Sequence, residues 1–400
     1  HVAQADTPNP LNFFSDSKTL LIAFAIFGLS SAIISLIIKL SRVILLYYFY
    51  AVNLHEKYIK RCIELAKNGL GTTYPNPMVG SVIVLNNMII GEGWHKKAGE
   101  PHAEVHAINS VKDKSLLKNA TIYVSLEPCS HFGKTPPCAN LIVTSGIKNV
   151  VIGIVDSNSK VSGRGVQYLK DNGCIVIVGV LEEECYKLNK RFFAFHTKKR
   201  PFIVLKWAET RDGFIDKLRN TASENTPNWI SNVYSQQYVH KMRAEEQAIL
   251  VGTNTALNDN PSLNVRTWTG NNPIRIVLDR TSKIPTNYNL LSDGIKTIVF
   301  SEVKHTIDSF GNVIYERIDF NKNVPKQICE VLYNYEIQSV IIEGGKQTLQ
   351  SFIDASLWDE AYVFVGNVFF KEGLSAPELH KEPLEIKTIL DDILKVFKKC

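Results

Sequence analysis

The 400-residue chain has few cysteines, little net charge and a single long apolar run, and each shortage narrows what it can be. Its seven cysteines are Cys62, Cys129, Cys138, Cys174, Cys185, Cys329 and Cys400. They are odd in number and scattered, which excludes a disulfide-stapled secreted scaffold. A reducing compartment, with some thiols used for chemistry, is the expectation. The net charge is only +6. Such an excess suits an anionic small substrate and is too weak and dispersed to argue for nucleic acid. There is no internal repeat and no low-complexity tract, and at 45% apolar and 21% charged residues the composition is that of a globular chain. The apolar run is Leu20–Ile38, interrupted only by three serines. One such run excludes a polytopic membrane protein. At roughly 1.5 Å per residue it is long enough for one membrane helix. Lys39 and Arg42 come next, then the aromatic stretch Tyr47–Tyr50. Residues 1–53 therefore read as a hydrophobic N-terminal extension with a transmembrane helix at 20–38, membrane contact through that segment, and everything after it in the cytoplasm. A signal peptide is disfavoured, because the run is too long and lacks a basic start.

Beyond residue 53 the pattern alternates. Apolar runs of four to six residues, bounded by Gly, Asn and Pro, predict strands at 80–85, 120–125, 149–154, 202–207, 248–252, 274–278 and 339–342. Segments with helical spacing fall between them, at 104–111, 163–172, 235–245, 324–335 and 347–355. The reading is α/β, with mostly parallel sheets covered by helices. The basic stretch His196–Pro201 reads as a linker, dividing the chain into 54–197 and 198–400.

The first part carries the strongest chemical signal. His102-Ala103-Glu104 is succeeded by Pro128-Cys129 and then Cys138. A catalytic zinc takes three protein ligands of nitrogen and sulfur type and leaves a fourth place for water. His102, Cys129 and Cys138 supply that set. Glu104, two residues from His102, suits a proton shuttle that takes a proton from the water and returns it to a departing amine. Zinc nucleobase deaminases use this arrangement, but with two residues between the cysteines. Here there are eight, Ser130–Pro137. Gly133, Lys134 and Thr135 in that insertion could hold a substrate phosphate. A structural zinc site would need a fourth ligand, for which His106 or His131 is available. A nucleic-acid base deaminase would want the shorter spacing, a basic face and no large second half.

The second part has no Gly-x-Gly-x-x-Gly after its first strand, so a Rossmann dinucleotide site is not indicated. Gly344-Gly345 lies between a strand and a helix whose amides could take a phosphate, and Thr253-Asn254-Thr255 comes after another strand.

Pro75-Asn76-Pro77-Met78-Val79-Gly80, Gly99-Glu100-Pro101-His102-Ala103-Glu104 and the whole of Glu127–Cys138, together with Leu205-Lys206-Trp207-Ala208, Arg243-Ala244-Glu245, Asp259-Asn260-Pro261-Ser262-Leu263 and Ile342–Gly345, resemble the bifunctional riboflavin-biosynthesis deaminase/reductase family. The likeness runs from about residue 54 to the C terminus. It implies a cytidine-deaminase-like domain and, after it, a dihydrofolate-reductase-like domain. The first would deaminate a diaminopyrimidinone carrying ribosyl 5-phosphate. The second would use NADPH to reduce the ribosyl group to a ribityl chain. By the same resemblance Ala208, Trp229, Thr255, Asp259 and the loop starting at Gly345 contact NADPH. Arg243, Leu263, Arg266 and Glu343 contact the sugar-phosphate substrate, and Asn76 contacts the substrate of the deaminase. Members are often multimeric, so a homo-oligomer is implied.

Overall fold

The computed structural model describes residues 36, 39, 53–130, 137–157, 162–218, 228–304 and 311–399. The chain divides into two compact units, 1–58 and 59–400. The expected membrane helix at 20–38 lies outside the described residues apart from Leu36, which is helical. Among the described residues no helix is long and apolar enough to cross a membrane.

The second unit holds three sheets. In chain order the strands are β1 Gly80–Leu85, β2 Met88–Trp94, β3 Thr121–Leu126, β4 Asn149–Ile154, β5 Ile175–Val178, β6 Phe202–Glu209, β7 Phe214–Asp216, β8 Ala248–Val251, β9 Ile274–Leu278, β10 Thr297–Ser301, β11 Val313–Arg317, β12 Ser339–Ile342, β13 Glu360–Val365, β14 Leu374–Ser375, β15 Glu385–Ile389 and β16 Asp392–Lys398. The first sheet is mixed, in the order β2-β1-β3-β4-β5. Its β1–β2 hairpin turns on Asn86 and Asn87, both at positive φ, where asparagine is tolerated. The second sheet has nine strands, β11-β10-β9-β8-β12-β6-β13-β16-β15. It is parallel from β11 through β13 and closes with the antiparallel strands β16 and β15. The short β7 and β14 pair separately.

Why the parallel strands form is written in their composition. Ala248-Ile249-Leu250-Val251 and Ser339-Val340-Ile341-Ile342 are buried at every position. A strand covered by helices on both faces must be apolar on both, so it reads as a continuous run. Ile203, Leu250, Phe300 and Ile342 fill the core on one face. Val204, Ile249, Val277 and Ile341 fill it on the other. A separate core beneath the first sheet includes Ile83, Ile122, Val124, Ile142 and Ile152.

The expected linker is corrected. His196, Thr197 and Lys198 end the helix Lys190–Lys198, which is seated by buried Phe192, Phe193 and Phe195. Only three residues separate it from β6. Lys198 and Arg200 both bind the buried Asp359 carboxylate, at 2.7 Å and 2.6 Å. Basic residues suggest a solvated turn, but an acidic partner 159 residues beyond Arg200 takes them up.

Candidate functional site

Two regions hold residues singled out from the sequence. In the first, His102 caps the helix Ala103–Ser110 with extended backbone. Cys129 lies just past the end of β3, and Cys138 opens the helix Cys138–Thr144. The helices place two of the three donors at N-terminal ends, whose partial positive charge favours thiolate and carboxylate. His102 Nδ1 is 3.6 Å from Cys129 Sγ and 3.3 Å from Cys138 Sγ. All three ligand atoms lie within 4.8 Å of one another. Neither sulfur is in a disulfide. Ligands about 2.0 to 2.3 Å from a tetrahedral zinc stand roughly 3.5 to 3.8 Å apart, so the set fits the ion with a place left open. Among the described residues this cluster has three donors, and His106 is not one of them.

The two sulfurs differ in proton affinity. The hydrogen bond from Cys138 pulls the Cys129 thiol down to about 4, and His102 adds to the effect. The same bond, with burial, drives Cys138 far up. The Cys138 backbone N–H also donates to Cys129 Sγ at 3.4 Å. His102 is pushed up by its contact with Cys129. Glu104 is buried in the first turn of its helix, at 3% exposure. Burial raises its carboxyl, opposed by His102. A carboxyl whose proton affinity is raised by burial is suited to carrying a proton in both directions.

Asn76 stands on the loop before β1. Its side-chain amide donates to His95 Nε2 at 3.0 Å, and His95 Nδ1 contacts the Pro101 carbonyl at 3.1 Å. A carbonyl only accepts, so Nδ1 carries the hydrogen and Nε2 is the acceptor. Burial lowers His95 and keeps it neutral. The Asn76 carboxamide is thereby fixed with its oxygen free of His95. The His95 ring also meets His102 edge-on, centroids 5.3 Å apart. Sequence alone marks His95 as an ordinary core or surface histidine; its role emerges when Asn76 and Pro101 are brought to its two nitrogens.

Glu127 opens the Glu127–Cys138 motif, but the sequence assigns it no role. Its carboxylate accepts four backbone N–H groups, from Gly165 at 2.8 Å, Gly163 at 3.0 Å, and Val166 and Asp156 at 3.1 Å. It ties the end of β3, and so Cys129, to Asp156 and to the first turn of the helix Arg164–Asp171. Residues 131–136, which include the expected phosphate contacts Gly133, Lys134 and Thr135, lie outside the described residues.

The second region forms at the carboxyl ends of the adjacent parallel strands β8, β12 and β6, where ligands of open α/β sheets bind. Thr255 comes after β8, Gly344 and Gly345 come after β12, and Lys206 and Ala208 lie near the end of β6. A Cβ on Gly344 would stand 3.0 Å from Thr255 Oγ1, so these segments touch. Gly345 has φ +38 and starts the helix Lys346–Asp354. Arg243 grips Glu343 with two parallel hydrogen bonds of 2.8 Å and 2.7 Å. Lys206 Nζ is 3.8 Å from the same carboxylate. Burial raises Glu343, but Arg243 and Lys206 outweigh it and hold the carboxyl at about 2. Arg243 and Glu343, expected as separate substrate contacts, therefore form one unit, and Lys206 joins it. Arg266 is exposed, with its guanidinium 2.5 Å from Asn264 Oδ1. Leu263 is buried in the core, with its backbone at positive φ. Trp229 is 64% exposed. Asp259 ends the helix Thr253–Asp259.

Residues 52–154 match the zinc-binding region of cytidine and deoxycytidylate deaminases, and residues 201–380 match the RibD C-terminal domain. The riboflavin biosynthesis protein RibD of Aquifex aeolicus is 40% identical over 354 residues, covering 87% of this chain and 95% of its own. This chain belongs to the RibD family. The RibD of Escherichia coli is 32% identical over 342 residues, 78% of this chain and 87% of that protein. A crystal structure of a Thermotoga maritima diaminohydroxyphosphoribosylaminopyrimidine deaminase/5-amino-6-(5-phosphoribosylamino)uracil reductase superposes with a TM-score of 0.79 at 38% identity, covering 88% of this chain and all of that one. The RibD fold accounts for the cytidine-deaminase-like first part and the reductase second part. The resemblance read from the motifs is that of the family, and the RibD chain is a deaminase and reductase of riboflavin biosynthesis.

Proposed function

We propose that residues 54–197 hydrolyse the exocyclic amine of 2,5-diamino-6-(ribosylamino)-4(3H)-pyrimidinone 5'-phosphate, and that residues 198–400 reduce the product with NADPH to 5-amino-6-(5-phosphoribitylamino)uracil. The division is supported by the sheets, since no strand is shared across residues 179–201. The observation that carries the first reaction is the meeting of His102, Cys129 and Cys138 beside the buried Glu104. Those three side chains would hold zinc, which when bound supplies a water acidic enough to act near neutral pH. Glu104 would take a proton from the attacking water and return it to the amine, which departs as ammonia while the oxygen stays on the ring carbon. Asn76, its amide nitrogen engaged by His95, offers its oxygen to a donor on the pyrimidine.

In the second part Thr255, Asp259, Gly345, Ala208 and Trp229 would contact NADPH, which when bound supplies the hydride. Glu343, Arg243 and Lys206 would meet the substrate, and the exposed Arg266 guanidinium suits its phosphate. What the protein does there is set distance and angle and keep charge in place.

The test is to follow ammonia and NADPH together on the purified chain with the diaminopyrimidinone ribosyl phosphate. A chelator should stop ammonia release and leave reduction of pre-deaminated substrate intact. Glu104→Gln should keep its zinc and lose ammonia release. Persistent deamination by that variant removes Glu104 from its role.

A further inference from the structure

We infer that the reductase half positions the substrate loop of the deaminase half, through Gln338 and Tyr74. The inference rests on the reading of Asn76 as a deaminase substrate contact. Asn76 sits in the loop 73–78, and the direction of its carboxamide is set by His95. Where its backbone lies depends on how the loop is pinned. On one side Asn189 clamps Met78, accepting from its N–H and donating to its carbonyl, both at 2.8 Å. On the other side the anchors come from the reductase half. Gln338 Nε2 donates to the Pro75 carbonyl at 2.6 Å. Tyr74 Oη donates to the Glu245 carbonyl at 3.0 Å and accepts from Ser339 Oγ at 3.1 Å.

These anchors are themselves fixed. Gln338 is 2% exposed. Its N–H donates to Gln247 Oε1 at 2.8 Å, and its carbonyl accepts the N–H of Phe202 at 2.8 Å. Just before the loop, Gly71 has φ +81, and a Cβ there would lie 2.2 Å from the Ala244 carbonyl oxygen. Backbone of one half thus lies directly on backbone of the other, and only glycine permits the approach.

Gln338 precedes β12 and Glu343 lies just past it, so about 16 Å of extended chain separates this contact from the reductase crevice. A change at Gln338 therefore reaches the deaminase loop without touching the reductase site. Gln338, from the reductase half, and Tyr74, held by Glu245 and Ser339 of that half, are positioning residues for the deaminase loop.

The experiment uses the full chain. Gln338→Met keeps the length of the side chain and removes its donor, and Tyr74→Phe removes only the hydroxyl. Ammonia release from the diaminopyrimidinone ribosyl phosphate, NADPH oxidation on pre-deaminated substrate, and bound zinc are measured for each. For each variant deaminase kcat/KM should fall about tenfold, mainly through KM, with reduction held within about twofold, as loss of the one hydrogen bond of Gln338 or the two of the Tyr74 hydroxyl allows. Zinc content should not change. In an Asn76→Ala background the further change at Gln338 should have little effect, because it acts through Asn76. Wild-type deamination in both variants overturns the inference. So does parallel loss of both activities, or full additivity with Asn76→Ala. A wild-type chain that releases no ammonia sinks the deaminase reading and this inference with it; an active wild type beside unaffected Gln338→Met and Tyr74→Phe sinks the inference alone.

Discussion

Replacing Glu343 by glutamine should loosen the reductase half measurably, and the structure sets the size. The carboxylate is 6% exposed and faces two cations, Arg243 through paired hydrogen bonds and Lys206 at 3.8 Å. The fall of its pKa from 4.5 to about 2 corresponds to about 3 kcal/mol favouring the ionised form in the fold. Breaking a buried pair by removing one partner costs about 3–5 kcal/mol on general grounds, which agrees. For a domain of roughly 200 residues that is a drop of about 6–12 °C in Tm. The sign with pH comes from the direction. A carboxyl that ionises at about 2 when folded and at 4.5 when unfolded contributes stability in full above pH 4.5, and that stability drains away as pH falls toward 2. Calorimetry of wild type and Glu343→Gln should show a constant gap between about pH 5.5 and 8, narrowing below pH 4.5. Adding Arg243→Met to the variant should cost little more, since its anion has already gone. A Glu343→Gln protein that melts with the wild type would refute the claim that these two half-buried cations depend on this carboxylate.

Three further outcomes are expected. Glu127→Ala leaves four backbone N–H groups without their acceptor, and should lower Tm by more than about 5 °C and cut zinc retention during dialysis, since Cys129 lies two residues on. His240 is pushed down to about 4, first by burial and then by Arg243 and Arg266, so it stays neutral in the fold while the unfolded chain protonates near 6.5. Its contribution is full above pH 6.5 and is lost as pH falls toward 4; urea unfolding at a series of pH values should show a shallower acid loss for His240→Asn than for wild type. Gly80→Ala would set a Cβ 2.0 Å from the Cys62 carbonyl oxygen, and should destabilise the deaminase half in a thermal melt, since backbone on both sides leaves nothing to yield.

The parallel strands are legible in the sequence because burial on both faces demands an unbroken apolar run, which Ala248–Val251 and Ser339–Ile342 supply. The closing hairpin is hidden for the opposite reason. Glu385-Ile386-Lys387-Thr388-Ile389 lies at an exposed edge and carries no apolar run to announce it. The zinc cluster is visible because metal chemistry restricts residue types, so one histidine and two cysteines stand out at any spacing. Lys206, His95 and Gln338 give no such signal. Each acquires its role from a partner 137, 19 or 263 residues away, which no local pattern encodes. Arg243 and Glu343 stand out individually, but the fork that joins them exists only once β12 and the helix Val233–Glu245 are side by side.

Asp359 gathers Lys198, Arg200 and the Ile203 amide on one carboxylate, at the three-residue step from the last helix of the first half to β6. A step that short, stapled at both margins, cannot serve as a swinging arm. A product released at the His102, Cys129 and Cys138 cluster would therefore not be carried to the reductase crevice by movement of this segment.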